Sequence, residues 1–565
     1  MKSTLALILA GALLPACGAG QGDDDDDDDA IVFPDAGSGL PDCFSSNECP
    51  TGYECSEFGT CVPPSPGSPD AGGDGPPEIE YELSRPASAL RYVYVAMTDQ
   101  DSLAKIDGSS LAVSAIDVGD QPEVVVTVPG TDAAIVLDET NGTATIVRPT
   151  VDRDETAVVK TLPHLNAIVV DPTGSYAVSW FDLNKAALEA GGLDFVGEIG
   201  SFQDVTVIDL TLGEERAVDL TVGFRPREVE FDATGQLAYV VTDDGVSVID
   251  LVEAVSSGPT IVVPIPVASD PLSDPLDIEV DIVADGQFAV VREEGLAELR
   301  IVRMSGGVLG EMWTIPLPAE PSDVDLSPDG TRAYAVLRES SALAVVDVPG
   351  DGIDPLGLEI VDLGGEVAGS LVMSEDGGRG MLFTNAALQE RLTVIELGEP
   401  GYPTSTYPLQ KSIRLLGFDP SGEKAIVVHA KEFGDPSEAA TFEEFINRSY
   451  GYSIFDVATG FAKLQVTPVD PGSFAFVQGA PRAYLILDGG DAEGAIARVH
   501  SIELDSGVVR EQDLNSPPDA VGVLPQADVA FVNQRHPLGR VSFIDISTDA
   551  TRTVTGFDLN SRIID

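Results

Sequence analysis

The chain has 565 residues, 43% hydrophobic and 22% charged. That length holds several average domains or one large repetitive one, and the apolar fraction is ample for a packed core. Acids outnumber bases 94 to 31, a net charge of −63, which argues against a nucleic-acid partner and against a polybasic grip on anionic lipid.

Met1-Lys2 is a short basic start, and Leu5 to Leu14 is an apolar run. Its length suits the core of a signal peptide and is too short for a spanning helix, which needs roughly 18 apolar residues. Leu14-Pro15-Ala16-Cys17 follows. This resembles the lipobox of bacterial lipoproteins, with Pro15 in place of the commoner small residue. The resemblance implies cleavage after residue 16, lipidation of Cys17 and a membrane anchor of about 0.8 kcal/mol per buried CH₂. Gly18 stands where an Asp would signal inner-membrane retention, so the expected address is the bacterial envelope, at the outer membrane, facing the periplasm or the outside.

Residues 17–41 read as a linker. Asp23 to Asp29 are seven successive aspartates that repel one another and stay extended. Read as a Ca²⁺ site, the run lacks the turn residues that organise carboxylates round a cation. No cofactor is therefore expected. Residues 42–62 hold Cys43, Cys49, Cys55 and Cys61 at even spacing. An even set in an exported chain reads as two disulfides, with three pairings open. Zinc is the rival reading, but there is no CxxC and no nearby His. The segment is similar to EGF-like mini-modules. Residues 63–80 form a second linker rich in Pro, Gly and Asp.

From residue 81 to 565 short Val/Ile/Ala runs alternate with Gly, Pro and Asp, the pattern of many short strands. Two landmarks recur. One is a turn such as Asp171-Pro172-Thr173-Gly174, Asp232-Ala233-Thr234-Gly235 or Ser327-Pro328-Asp329-Gly330. The other is a strand ending in an acid, as in Val205-Thr206-Val207-Ile208-Asp209 or Leu343-Ala344-Val345-Val346-Asp347, counted ten times with weaker copies such as Thr145-Ile146-Val147 and Leu299-Arg300-Ile301-Val302. A unit of about 45 residues with four strands is the size of one propeller blade. The motif order resembles the YVTN/lactonase-like β-propeller repeats. The fold expected is all-β, a propeller of about ten four-stranded blades. The C-terminal strand near 561–565 is expected to complete the first blade, closing the ring and removing sheet edges.

Chemistry is harder to place. There is no HxxxH or HExxH pair, no G-x-S-x-G elbow and no convincing phosphate loop. Most acids fall at the repeated turn and strand-end positions. Two insertions stand out between the second and third strands of their units, Asp182 to Asp204 and Lys431 to Gly451. Helices are expected at 183–190 and at 437–446, the latter capped by Ser437. Insertions on one face of a repeat array mark a binding face. Its candidate residues are Trp180, Phe181, His429, Phe442, Phe445 and Tyr450.

The function expected is a non-enzymatic, lipid-anchored binding or scaffold module for a protein or a glycan. A lactonase-type hydrolase is the alternative that the repeat resemblance implies, though no catalytic residue of that family can be carried onto this chain. A structural envelope component is the third reading.

Overall fold

The computed structural model describes strands Glu54–Cys55 and Cys61–Val62, residue Glu78, and residues 87–557, with internal gaps at 139, 151–152, 194–195, 198, 257, 259, 271–272, 276–277, 305–309, 349–356 and 491–493. The signal peptide, Cys17, the aspartate run, Cys43, Cys49 and the segment 558–565 lie outside the described residues. Glu54–Cys55 and Cys61–Val62 form a two-stranded antiparallel ladder with Cys55 opposite Cys61.

Residues 87–555 form ten consecutive antiparallel sheets, each a blade. Blade 1 spans 87–117, blade 2 122–160, blade 3 167–221, blade 4 228–265 and blade 5 278–316. Blade 6 spans 323–362, blade 7 370–408, blade 8 413–467, blade 9 471–513 and blade 10 518–555. Within each, strands A to D follow chain order and pair with their sequence neighbours. Successive A strands approach one another, so A is the inner edge.

The B and C strands are nearly continuous apolar runs because both of their faces are covered. Arg332–Leu337 and Ala342–Asp347 are buried along most of their length, whereas the outer strand Leu358–Asp362 is mostly exposed. Ten apolar clusters hold the ring, one between each pair of neighbouring blades. The last joins Phe531, Phe543 and Phe557 to Val93, Met97, Ala104 and Ile106. Blade 10 therefore packs on blade 1, and the ring is closed.

The recurrent turn joins strands A and B, as its chemistry demands. Asp171 accepts from the Thr173 and Ser175 amides at 2.8 and 2.7 Å. Asp232 and Asp419 hold the corresponding amides of Gln236 and Glu423. Ser327 and Ser374 do the same work with a hydroxyl, each at 3.0 Å. The closing glycines take left-handed φ, 73° at Gly174 and 69° at Gly330, which a side chain disfavours. The acids ending the C strands are also structural. Asp107, Asp456 and Asp545 accept amides of the following C–D turn.

Three local features of the ring have physical causes. The inner position of blade 1 is held by residues 87–89, with Ser88 bridging Val93 and the Ala89 amide on Tyr92 O at 2.9 Å. This position is thus filled locally, while the C-terminal segment expected there lies outside the described residues. Blade 4 lacks a full outer strand. Helix Leu251–Ser256 follows its C strand and buries Leu251, Ala254 and Val255 against blade 3, leaving Ile265 as a single bridge to Val246. In the second insertion the helix runs Phe442–Arg448, not from Ser437. Thr441 caps it, accepting from the Glu444 amide, while Pro436–Glu438 is a separate 3₁₀ turn capped by Asp435.

Candidate binding face

Because strands alternate in direction, all B–C and D–A connections emerge on one face and all A–B and C–D turns on the other. The two faces differ in kind. Of the large exposed apolar side chains, Leu188, Leu193, Ile199, Phe224, Leu388, Phe433, Phe442, Phe445 and Leu538 all sit in B–C or D–A connections. The opposite face presents Leu212 in a hairpin turn and Val252, Ile261 and Val263 in the long C–D connection of blade 4; the remainder lie on outer strands. Scattered exposed apolar residues are ordinary, but their concentration on one face is not.

The blade 8 insertion is built from its supports outward. Lys411 is buried, and its ammonium donates to Ile446 O at 2.7 Å and Asn447 O at 2.9 Å. These are carbonyls at the C-terminal end of helix Phe442–Arg448, where a cation also complements the helix dipole. Burial pushes the Lys411 ammonium down to about 8. The Glu432 amide donates to Asn447 O at 2.8 Å, and Lys431 lies over the Tyr450 ring at 5.0 Å. On this platform Phe442 and Phe445 stack at 6.5 Å, with Phe442 79% and Phe445 38% exposed.

The blade 3 insertion is anchored by burying what the sequence offered as surface. Trp180 is fully buried between blades 3 and 4, and Phe181 is buried between blades 2 and 3. Neither can touch a partner. An aromatic residue at the end of a B strand faces the neighbouring blade rather than the loop. Phe181, Phe202 and Phe224 form a ladder with 6.0 Å steps, and only its end, Phe224, is exposed. Helix Leu183–Ala190 has the expected bounds; Asp182 caps its start and left-handed Gly191 ends it. Sequence reasoning missed Phe224, whose place in a D–A loop is set only once the blades are known.

His429 is also interior. Its Nδ1 faces Ser412 O at 3.1 Å and its Nε2 faces Ser453 Oγ at 2.7 Å. Since a carbonyl can only accept, Nδ1 carries the proton and Nε2 accepts from the serine. Burial pushes the ring down to about 4, as it does for buried His500. His429 is thus a structural pin beneath the insertion. Of the six candidate residues, Phe442 and Phe445 form the exposed site, Tyr450 flanks it half-buried, and Trp180, Phe181 and His429 support the face from within.

Among the described residues no three His, Cys, Asp or Glu side chains gather as a metal site. A cleft of about 230 Å³ lies on the opposite face between blades 2 and 3, lined by Val128, Asp132, Arg148 and Leu210. It is smaller than the roughly 300 Å³ at which small-molecule sites begin. Its Arg148 is already held by Glu215 and Leu210 O, each at 2.5 Å.

No family model matches the chain. No curated protein matches it either. Among solved structures it is similar to dihydro-heme d1 dehydrogenase NirN in complex with DHE, at 13% identity over 64% of this chain and 74% of that one, with a TM-score of 0.39. It is similar to the hydrazine synthase of Kuenenia stuttgartiensis, at 14% identity over 58% and 95%, with a TM-score of 0.33. It is similar to a eukaryotic initiation factor, at 11% identity over 76% and 97%, with a TM-score of 0.45. Likenesses this distant carry nothing about ligand or chemistry; the propeller fold rests on the strand topology.

Proposed function

We propose that this protein is a non-enzymatic binding propeller, tethered to a bacterial envelope through Cys17, that presents its B–C face to a protein or glycan. The observation that carries this reading is the stacked Phe442–Phe445 pair, exposed on an insertion that a buried lysine holds in place. Rigid aromatic anchors on a braced loop are the usual hot spots of protein contacts and stack equally well on sugar rings. The lipid anchor and its outer-membrane address rest on the N-terminal resemblance alone.

The test uses the full chain as bait against envelope extract and a glycan array, beside a Phe442→Ser/Phe445→Ser variant. A ligand retained by the native chain and lost by the variant, with the thermal midpoint unchanged, supports the reading. Retention that ignores the two substitutions, or no macromolecule retained by either chain, overturns it.

A further inference from the structure

Glu78 lies only nine residues before Ala87, yet its carboxylate is docked between blades 6 and 7 and only 5% exposed. Blades 6 and 7 lie across the ten-blade ring from blade 1, and nine residues reach at most roughly 30 Å. The cradle is made of donors. Arg338 Nη1 reaches Glu78 Oε1 at 2.9 Å, and Thr384 Oγ1 reaches the same oxygen at 2.6 Å. The amides of Asn385 and Ala386 reach Oε2 at 2.8 and 3.3 Å. Both oxygens are thus held, by one guanidinium, one hydroxyl and two backbone N–H groups. The floor is Gly369, where a Cβ would overlap the carboxylate.

These parts come from three separate connections. Arg338 begins the B–C turn of blade 6, Thr384 to Ala386 begin that of blade 7, and Gly369 precedes the A strand of blade 7. All lie on the face that carries the aromatic pair. The cradle also abuts blade 8, since Asn385 Nδ2 donates to Arg414 O at 3.2 Å. Charge-assisted bonds of this kind are the strong ones, and donors on both oxygens suit a carboxylate.

We infer that this cradle is a carboxylate-recognition site, filled in cis by Glu78 and able to take a glutamate side chain of a partner protein in trans. It goes beyond the aromatic pair as a second, independent contact on the same face. The tethered carboxylate acts as an internal competitor. A short tether raises its local concentration to the order of millimolar, so a free ligand is shielded while Glu78 is in place. The chain's net negative charge opposes an acidic partner at long range, but screening confines that opposition to about 8 Å at physiological salt. Local donors then decide.

The probe is a labelled, end-capped peptide with the sequence of residues 76–79, whose one carboxylate is that of Glu78, followed by fluorescence anisotropy on the full chain. The Glu78→Ala chain should bind it at least tenfold tighter than the native chain. Adding Arg338→Ala, or Gly369→Ala, to Glu78→Ala should abolish that binding. The same peptide with glutamine at the position of Glu78 should not bind. Circular dichroism melts establish that every variant is folded, and Thr384→Val serves as a milder disruption should Arg338→Ala melt early. A folded Glu78→Ala chain that fails to bind, or binding indifferent to Arg338 and Gly369, overturns the inference. Phe442→Ser/Phe445→Ser leaves this readout unchanged, so its outcome is separable from that of the aromatic site.

Discussion

At His429 two nitrogens with different partners fix one tautomer, and the fold tolerates only the neutral ring. The ordinary pKa of about 6.5 falls to about 4 here and at His500, in both cases through burial. The sign follows from which state holds the proton. Above pH 6.5 both rings are neutral in both states, and their contribution is intact. As pH falls from 6.5 towards 4, the unfolded chain takes up protons that the folded chain refuses, and stability is lost. Each unit is worth about 1.4 kcal/mol per ring, so each histidine withdraws on the order of 3 kcal/mol by pH 4. Asp182, Asp243 and Asp519, pushed up by burial, act in the opposite sense and soften the fall. Urea melts at pH 7 and pH 5 should show a clear drop for the native chain. His429→Asn should start lower at pH 7 and lose visibly less between the two. An equal loss in both chains would show that the folded His429 ring takes up its proton as readily as the unfolded one.

The blade 8 insertion is a short helix that could not stand alone, and its two ends carry its stability. Helices below about 12 residues are marginal in water. Thr441 satisfies the first turn, and the Glu444 carboxylate accepts from the Ala440 amide at 2.7 Å. Lys411 satisfies the last turn from below. Thr441→Ala should cost about 1 kcal/mol, confined to this element. Lys411→Met should cost more, because two carbonyls lose their buried donor. Hydrogen exchange should quicken severalfold across 442–449 in both, while the blade 8 strands Lys424–His429 and Tyr450–Asp456 keep their protection. Loss of protection in those strands as well would mean that the insertion is part of the blade rather than mounted on it. What the sequence reveals at this scale depends on how local the cause is. Helix Leu183–Ala190 is legible to the residue, since Asp182 and Gly191 mark its ends and both act within one turn. The second helix is displaced because two caps compete, Asp435 before Pro436 and Thr441 before Phe442, and the nearer serine belongs to neither. Trp180 and Phe181 read as surface because aromatic residues beside an insertion look alike whether they face out or brace the next blade. The Glu78 cradle is invisible to any local pattern, being assembled from three connections and a linker.

The ring as a whole shows the same division. All the C strands but those of blades 2 and 5 end in an acid, and at Asp107, Asp209, Asp250, Asp456 and Asp545 that acid caps the next turn within its own unit, so the motif recurs with the blade. Closure is different, since it depends on contacts between the two ends of the array. Every blade is joined to the next by a D–A connection except at the seam between blade 10 and blade 1. Among the described residues that seam is held by side-chain packing round Phe531, Phe543 and Phe557, with the Gln526 amide on Leu90 O at 3.0 Å. Two fully buried phenylalanines therefore offer a matched comparison. Phe543 lies in the seam, and Phe455 lies between blades 7 and 8, where the chain itself ties the blades together. Truncation to alanine should cost roughly 3–5 kcal/mol at either site. The consequences should diverge. Opening at the seam frees two end faces that complement each other, so an opened ring can close on a second copy through the same contact. Phe455→Ala offers no such free ends. Sedimentation at rising protein concentration should find Phe543→Ala forming dimers and higher species, while Phe455→Ala stays at the native sedimentation coefficient with a similarly lowered melting point. Should both variants sediment alike, the covalent gap at the seam is not where this ring opens, and its ten interfaces share the load evenly.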